Sequence, residues 1–317
     1  MKLKQIPEDF IVRENIGVNI GGGRHAIYLM KKTSYTTERA IQAIADHLHV
    51  DRKQIGYAGI KDKVAITYQH ISISDVSKER VKSLKLKDIE LEFIGMCGRP
   101  MNLGDLASNS FEIVVRDLDS SVVVNLNKRV KNSYDKQRFS NNNVAIGLAM
   151  LRKDFKKAVE LILESDGWYE EKVKTYLKDK INDYVGALRK VPRKILLLFI
   201  HSYQSKVFNE TIALLDSEVN YDVPLVGFGT EFEDEKIESI VDEILGKDKI
   251  VQRDFIIQAL PDLSCEGDMR KLYVNIKDLS VSLLEDDDLN KEKKKIKFTF
   301  NLPKGSYATN VIKILIS

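Results

Sequence analysis

The sequence predicts an α+β fold: a mixed, mainly antiparallel sheet domain interrupted by an inserted α-rich region. Three observations carry this expectation. Strand-like alternation fills much of the first 117 residues and returns in the tail after about residue 272. Between about 144 and 260 the apolar period becomes helical and strand signals are few. The early strands are broken by a helix without a regular βαβ rhythm. At 317 residues the chain has room for two domains. The expected division is 1–150 together with 264–317 for the sheet domain, and 151–263 for the insertion.

In chain order, Phe10–Glu14 predicts a strand and His25–Met30 another. Gly21-Gly22-Gly23 between them lacks the spacing of a phosphate loop and precedes a strand, so a hairpin turn is expected. A helix is expected from Thr36 or Thr37 to Leu48, with Ala40, Ile41, Ile44, Ala45 and Leu48 on one face. Gly56 to Gln69 reads as a short strand, a tight turn and a second strand. In 64–73, Thr67, Gln69, Ile71 and Ile73 face one way and Ile66, Tyr68 and His70 the other. Asp62 falls at the junction between Lys61 and Lys63. Two readings fit it: a solvated turn tip, or a carboxylate nucleophile or base whose ionised form the neighbouring cations favour.

Glu90–Ile94 and Phe111–Arg116 are further expected strands, and 121–131 a helix. The stretch from Asn132 through Tyr134, Gln137 and Arg138 to Ser140 sets an aromatic beside polar and cationic groups. That suits base stacking and phosphate contact, and equally an aromatic anchor under a loop. A polar turn at Asn141-Asn142-Asn143 follows. Helices are expected over 144–151, 155–163, 170–177, 193–215 and 236–245. Leu196–Ile200 is apolar all round, so its helix should be central. Glu231–Glu235 reads as solvated surface. In the tail, Leu272, Val274 and Ile276 alternate, as do Ile296, Phe298, Phe300 and Leu302. The acidic run 285–288 and basic run 291–295 between them read as a solvated, mobile turn. A short helix with Val311, Ile312 and Leu315 closes the chain.

Composition excludes more than it assigns. Net charge is only +3, so an RNA-binding role needs basic residues gathered on one face. Cys97 and Cys265 stand far apart, without CxxC or Cys/His spacing, so neither a zinc site nor a disulfide framework is expected. No apolar run reaches membrane-span length and the N-terminus lacks a signal-like core. A cytoplasmic protein is expected. The sequence is silent on oligomeric state, and a monomer is the default.

Six segments, in order, resemble the TruD family of RNA pseudouridine synthases. Lys4 with Pro7-Glu8-Asp9-Phe10 is similar to the N-terminal motif. Gly59, Lys61, Asp62, Ala65, Thr67 and Gln69 match Gly-x-Lys-Asp-x-x-Ala-x-Thr-x-Gln without departure. Gly104-Asp105-Leu106, Asn109 and Phe111 resemble the third motif, and Asn132 to Ser140 the fourth. His201 to Ser205 with Phe208-Asn209 is similar to a helix of the family's insertion, and Leu302 to Thr309 to the C-terminal motif. Tyr134 stands where many members have Phe. Asp135, Ser140 and Ser108 replace Gly. Pro100 and Asn102 occupy positions often basic in the family.

The resemblance implies a cofactor-free and metal-free isomerase acting on tRNA, at position 13 or at another uridine. The inserted region would be the family's TRUD domain, with RNA in the cleft between the domains. Asp62 would be the catalytic carboxylate, working on a flipped-out nucleotide either by attack at the anomeric carbon or by removing a proton from the neighbouring carbon. Lys4 is the implied cation for Asp62. Phe10 would line the pocket, Tyr134 would stack on the base, Asn132 would hydrogen-bond near the base or aspartate, and Arg138 would meet phosphate. Lys61 belongs to the same substrate-binding set, while Thr67 and Gln69 brace the hairpin. The alternative from another class is a non-catalytic tRNA-binding or chaperone protein. A methyltransferase lacks its glycine-rich cofactor loop here.

Overall fold

The computed structural model describes residues 1–139, 142–216 and 218–316. Its secondary structure separates into two compact units, Met1–Val130 with Asn275–Ser317, and Lys131–Val274.

The first unit opens with β1 (Phe10–Ile16), β2 (His25–Thr33), α1 (Thr37–Leu48), β3 (Ile55–Tyr57), β4 (Ile66–Ser74), α2 (Lys78–Lys82), β5 (Ile89–Cys97) and β6 (Leu106–Leu118). β7 (Arg129–Lys131) lies at the division. The second unit holds α3 (Asn143–Leu151), α4 (Phe155–Ile162), α5 (Trp168–Asp179), α6 (Tyr184–Leu188), α7 (Arg193–Leu214), β8 (Asp222–Leu225), α8 (Glu235–Lys247) and β9 (Asp268–Lys271). β10 (Tyr273–Asn275) lies at the return, and β11 (Lys277–Val281), β12 (Glu285–Asp286), β13 (Lys294–Pro303) and α9 (Ala308–Leu315) complete the first unit.

The first unit is a mixed, mainly antiparallel sheet in the order β11-β13-β6-β1-β4-β2-β5, with β12 on β13 and β3 on β4. Among the described residues of this sheet only β1 and β4 pair parallel, at Ile11↔Ile66 to Arg13↔Tyr68. Strand alternation explains the burial. Thr67, Gln69, Ile71 and Ile73 of β4 are all buried, as are Ile296, Phe298, Phe300 and Leu302 of β13. α1 starts on the Thr36 hydroxyl, which accepts from the Arg39 N–H, and lays Ala40, Ile41, Ile44 and Leu48 on Tyr28, Met30 and Ile71. In the second unit α7 is the central helix, burying Leu196, Phe199, Ile200, Tyr203 and Phe208 among α3, α4 and α8. A side chain at Gly147 would run into the Phe199 carbonyl, so this glycine lets α3 lie close on α7. That packing puts α3 in the helical unit. No helix among the described residues is long and apolar enough to cross a membrane.

Four expectations are corrected. Residues 121–131 are not helical. The Asn125 side chain accepts from the Asn127 N–H and the Asn127 side chain from the Arg129 N–H, and these local turns compete with a helix. Gly21–Gly23 is no hairpin turn, because β4 lies between β1 and β2 in the sheet. The turn before β4 is not tight: β3 pairs with the far end of β4, at Ile55↔Ile73, which leaves 58–65 as a broad loop. The acidic run near 287 is not simply solvated, since Asp287 is buried on Arg116.

Candidate active site

The loop between β3 and β4 is built to hold one carboxylate. Three of its backbone groups are braced, each from a different element. Gln69 of β4 donates to the Gly59 carbonyl at 3.3 Å. The Lys61 N–H donates to the Thr37 hydroxyl at 2.9 Å, and that hydroxyl donates to Gln69 Oε1 at 3.2 Å. The Asp62 carbonyl accepts from Lys32 Nζ at 3.0 Å. Thr37, Gln69 and Lys32 are buried, so these bonds form away from water.

The flanking lysines do not share the Asp62 carboxylate, as the sequence suggested. Lys61 turns inward. Its Nζ lies 2.7 Å from Glu14 Oε1, and both side chains are buried. The second Glu14 oxygen accepts the His70 N–H at 2.9 Å, and burial pushes the His70 imidazole down against the pull of Glu14. Lys61 therefore fixes the loop to β1. Lys63 is exposed. The cation that meets Asp62 comes from the N-terminus: Lys4 Nζ lies 2.6 Å from Asp62 Oδ2. The Asp62 side chain keeps 39% of its surface open. It is thus paired on one side and accessible on the other.

Lys4 reaches this position from a left-handed backbone, φ 57°, which costs energy in a non-glycine residue. The loop that carries it is anchored. The Ile6 N–H donates to Asp9 Oδ2 at 3.1 Å, and Arg116 Nε donates to Asp9 Oδ1 at 2.7 Å. Phe10 follows as the first residue of β1 and is buried. The Lys4 ammonium sits 4.1 Å from the Phe10 ring centre, and the ring packs edge-on to Phe111. Lys4, Phe10 and Asp62 therefore form one cluster, drawn from sequence positions far apart.

Asn132, Tyr134 and Arg138 gather in the helical unit. Asn209 of α7 clamps the Tyr134 backbone, accepting from its N–H at 2.8 Å and donating to its carbonyl at 3.0 Å. Phe208 meets the ring edge-on at 5.8 Å. Arg138 Nε donates to the Ser205 hydroxyl at 3.3 Å, and the Arg138 guanidinium stands 5.7 Å from the Tyr134 ring centre. Asn132 spends its side chain within the unit, accepting from Arg270 Nη2 at 2.6 Å and donating to the Lys271 carbonyl at 3.1 Å. Ser140 and Asn141 lie outside the described residues.

Sequence reasoning missed Arg270, Glu14 and Lys32. Arg270 lies 4.3 Å from the Tyr134 ring centre as well as on Asn132, and no local pattern links it to either. The other two carried a signal. Glu14 continues the buried series Phe10, Val12 on β1, and Lys32 continues Ala26, Tyr28, Met30 on β2. A charge in phase with a core series is a candidate site residue.

Similarity to known proteins gives the family. The family model for tRNA pseudouridine synthase D (TruD) matches residues 1–175, 163–217 and 213–315. A "Probable tRNA pseudouridine synthase D" of Nanoarchaeum equitans is 30% identical, over 99% of this chain and 98% of that one. One of the same name from Methanopyrus kandleri is 28% identical over 93% of this chain and 86% of that one. A crystal structure of a Methanosarcina mazei protein given the TruD name superposes with a TM-score of 0.77 at 25% identity, covering 99% of this chain and 93% of the other. With the family model spanning both the sheet unit and the helical unit, this chain belongs to the tRNA pseudouridine synthase D (TruD) family.

Proposed function

We propose that this chain is an isomerase that converts uridine to pseudouridine in tRNA, with Asp62 as its catalytic carboxylate. The observation that carries the reading is the Asp62 carboxylate, 2.6 Å from Lys4 on one side and open on the other. The reaction breaks the bond between ribose C1′ and uracil N1. It turns the base, joins C1′ to C5, and the proton lost from C5 is matched by one taken up at N1. No atom is gained or lost, so the protein has to supply positioning, charge and proton transfer. Asp62 acts at the ribose, as nucleophile at C1′ or as base at C2′. Lys4 balances its charge before the reaction and orients the oxygen that acts. Phe10 gives the cluster an apolar wall.

The base must leave the RNA stack to be turned. Tyr134 is the stacking platform for it, and the Asn209 clamp and Phe208 support that role by fixing the ring. Arg138 serves RNA phosphate. Asn132 acts by holding Arg270 against the Tyr134 ring. The sheet unit is then the catalytic domain and the helical unit the inserted TRUD domain. The substrate uridine is position 13, in the D arm, and the work is cytoplasmic.

The test is to incubate pure protein with unmodified tRNA, without added cofactor, and map pseudouridine at nucleotide resolution. One new pseudouridine at position 13 is expected. Product elsewhere would keep the reaction and overturn the position. Tight binding without product would favour a tRNA-binding protein. Tyr134→Ala should slow the reaction by roughly ten- to hundredfold, the worth of one base stack, and Tyr134→Phe by less than about threefold.

A further inference from the structure

Lys32 is fully buried on β2. Its ammonium donates to two backbone carbonyls, that of Tyr35 at 2.6 Å and that of Asp62 at 3.0 Å. Among the described residues no carboxylate stands within ion-pair distance of it. A buried cation without a counter-charge is costly. Burial pushes the Lys32 ammonium down to about 8, Asp62 pulls the other way, and Lys61 adds to the lowering. The facing charges are themselves paired, Asp62 with Lys4 and Lys61 with Glu14. The core series Ala26, Tyr28, Met30 that Lys32 continues is otherwise apolar. Stability alone would favour an apolar side chain there.

The rest of the loop has other supports. Gln69 holds Gly59, Thr37 holds the Lys61 N–H, and Glu14 holds the Lys61 side chain. The Asp62 carbonyl rests on Lys32.

We propose that Lys32 is a positioning residue for the isomerisation: its buried ammonium fixes the Asp62 peptide so that the carboxylate stays aimed between Lys4 and the ribose. This rests on the reading of Asp62 as the catalytic carboxylate. The protein accepts an uncompensated buried charge where a precise carboxylate is needed, the usual relation between strain and function at active sites.

The experiment compares wild type, Lys32→Met, Lys32→Gln and Asp62→Asn for single-turnover rate, tRNA dissociation constant and thermal unfolding. Met matches the length of the lysine stem and suits the apolar surroundings. Lys32→Met is expected to unfold cooperatively and to bind tRNA within about threefold of wild type. Its rate constant should fall by roughly thirty- to hundredfold, the cost of a misplaced reacting group. The loss thus sits in the chemical step and not in binding, which a purely structural role would not produce. Lys32→Gln, which reaches one carbonyl at most, should be slowed by at least about fivefold. A wild-type rate in Lys32→Met would overturn the proposal. If Met does not unfold cooperatively, a wild-type rate in Lys32→Gln overturns it instead. Asp62→Asn separates the two claims: if it is inactive while Lys32→Met is normal, only the role of Lys32 fails. If Asp62→Asn is active, the reading beneath it fails.

Discussion

Arg116 and Lys32 are both buried in the sheet unit, yet only Arg116 is met by carboxylates. Its Nε binds Asp9 at 2.7 Å, and its Nη1 binds Asp287 at 2.8 Å and Asp288 at 2.9 Å. The guanidinium joins the N-terminal loop, β6 and the turn before β13, and every charge there has an answer. Lys32 has carbonyls alone. The difference separates two uses of a buried cation. Arg116 is part of the architecture that carries Lys4 to its place. Lys32 works at the position where the chemistry is expected and costs the fold something. Removing each should therefore act on different observables.

The largest effect is expected at Arg116. Arg116→Met leaves the buried carboxylates of Asp9 and Asp287 without their cation, and should cost roughly 3–5 kcal/mol of stability, read by chemical denaturation. A loss under 1 kcal/mol would remove the contrast. Acid should reproduce part of it. Burial opposes ionisation of Asp287, but the N–H groups of Asp117 and Leu289, the Asn290 amide and Arg116 hold its carboxyl well below the usual range. Lys295 and Arg116 do the same for Asp288. A carboxyl lowered by folding adds stability above its unfolded value of about 4, and this is lost as pH falls toward the folded value. Stability should drop below about pH 4 through this cluster, and Asp287→Asn should blunt that dependence.

Lys32 gives the same direction in a more alkaline window, because there it is the charged form that folding disfavours. Its ammonium is lowered in the folded protein, so the unfolded chain holds that proton more tightly. Wild type should gain about 1–2 kcal/mol relative to Lys32→Met as pH rises from about 8 toward 10.5. Parallel stability curves would mean that Lys32 is not desolvated as described. The smallest effect is expected at Gly59, where a Cβ would lie 3.1 Å from Glu14 Oε1 and 3.3 Å from Lys61 Nζ. Gly59→Ala should cost about 1 kcal/mol by crowding that buried pair, with little change in activity.

How much of this was legible depends on the range of the interaction. Alternation in β4 and β13 and the apolar stripe of α1 are local patterns, and they located the core faces correctly. The motif around Asp62 marked the candidate carboxylate. Its pairing was not legible from neighbours in sequence: Lys61, beside it, turns to Glu14, while Lys4, remote in sequence, turns to it. The acidic turn misled for the same reason, because Asp287 is satisfied by Arg116 from another strand. Residues 121–131 failed at short range, where asparagine side chains bonded to nearby N–H groups outcompeted the helix. Arg270 on Tyr134 had no sequence signal at all.

The most direct measurement of the central claim is single-turnover pseudouridine formation by Asp62→Asn, beside its tRNA affinity. The substitution keeps the side chain's shape and removes its charge. Product formation should vanish while affinity stays within about tenfold, ~1.4 kcal/mol. Pseudouridine formed at the wild-type rate would contradict the account, because the carboxylate that the whole loop is braced to present would then have no part in the reaction.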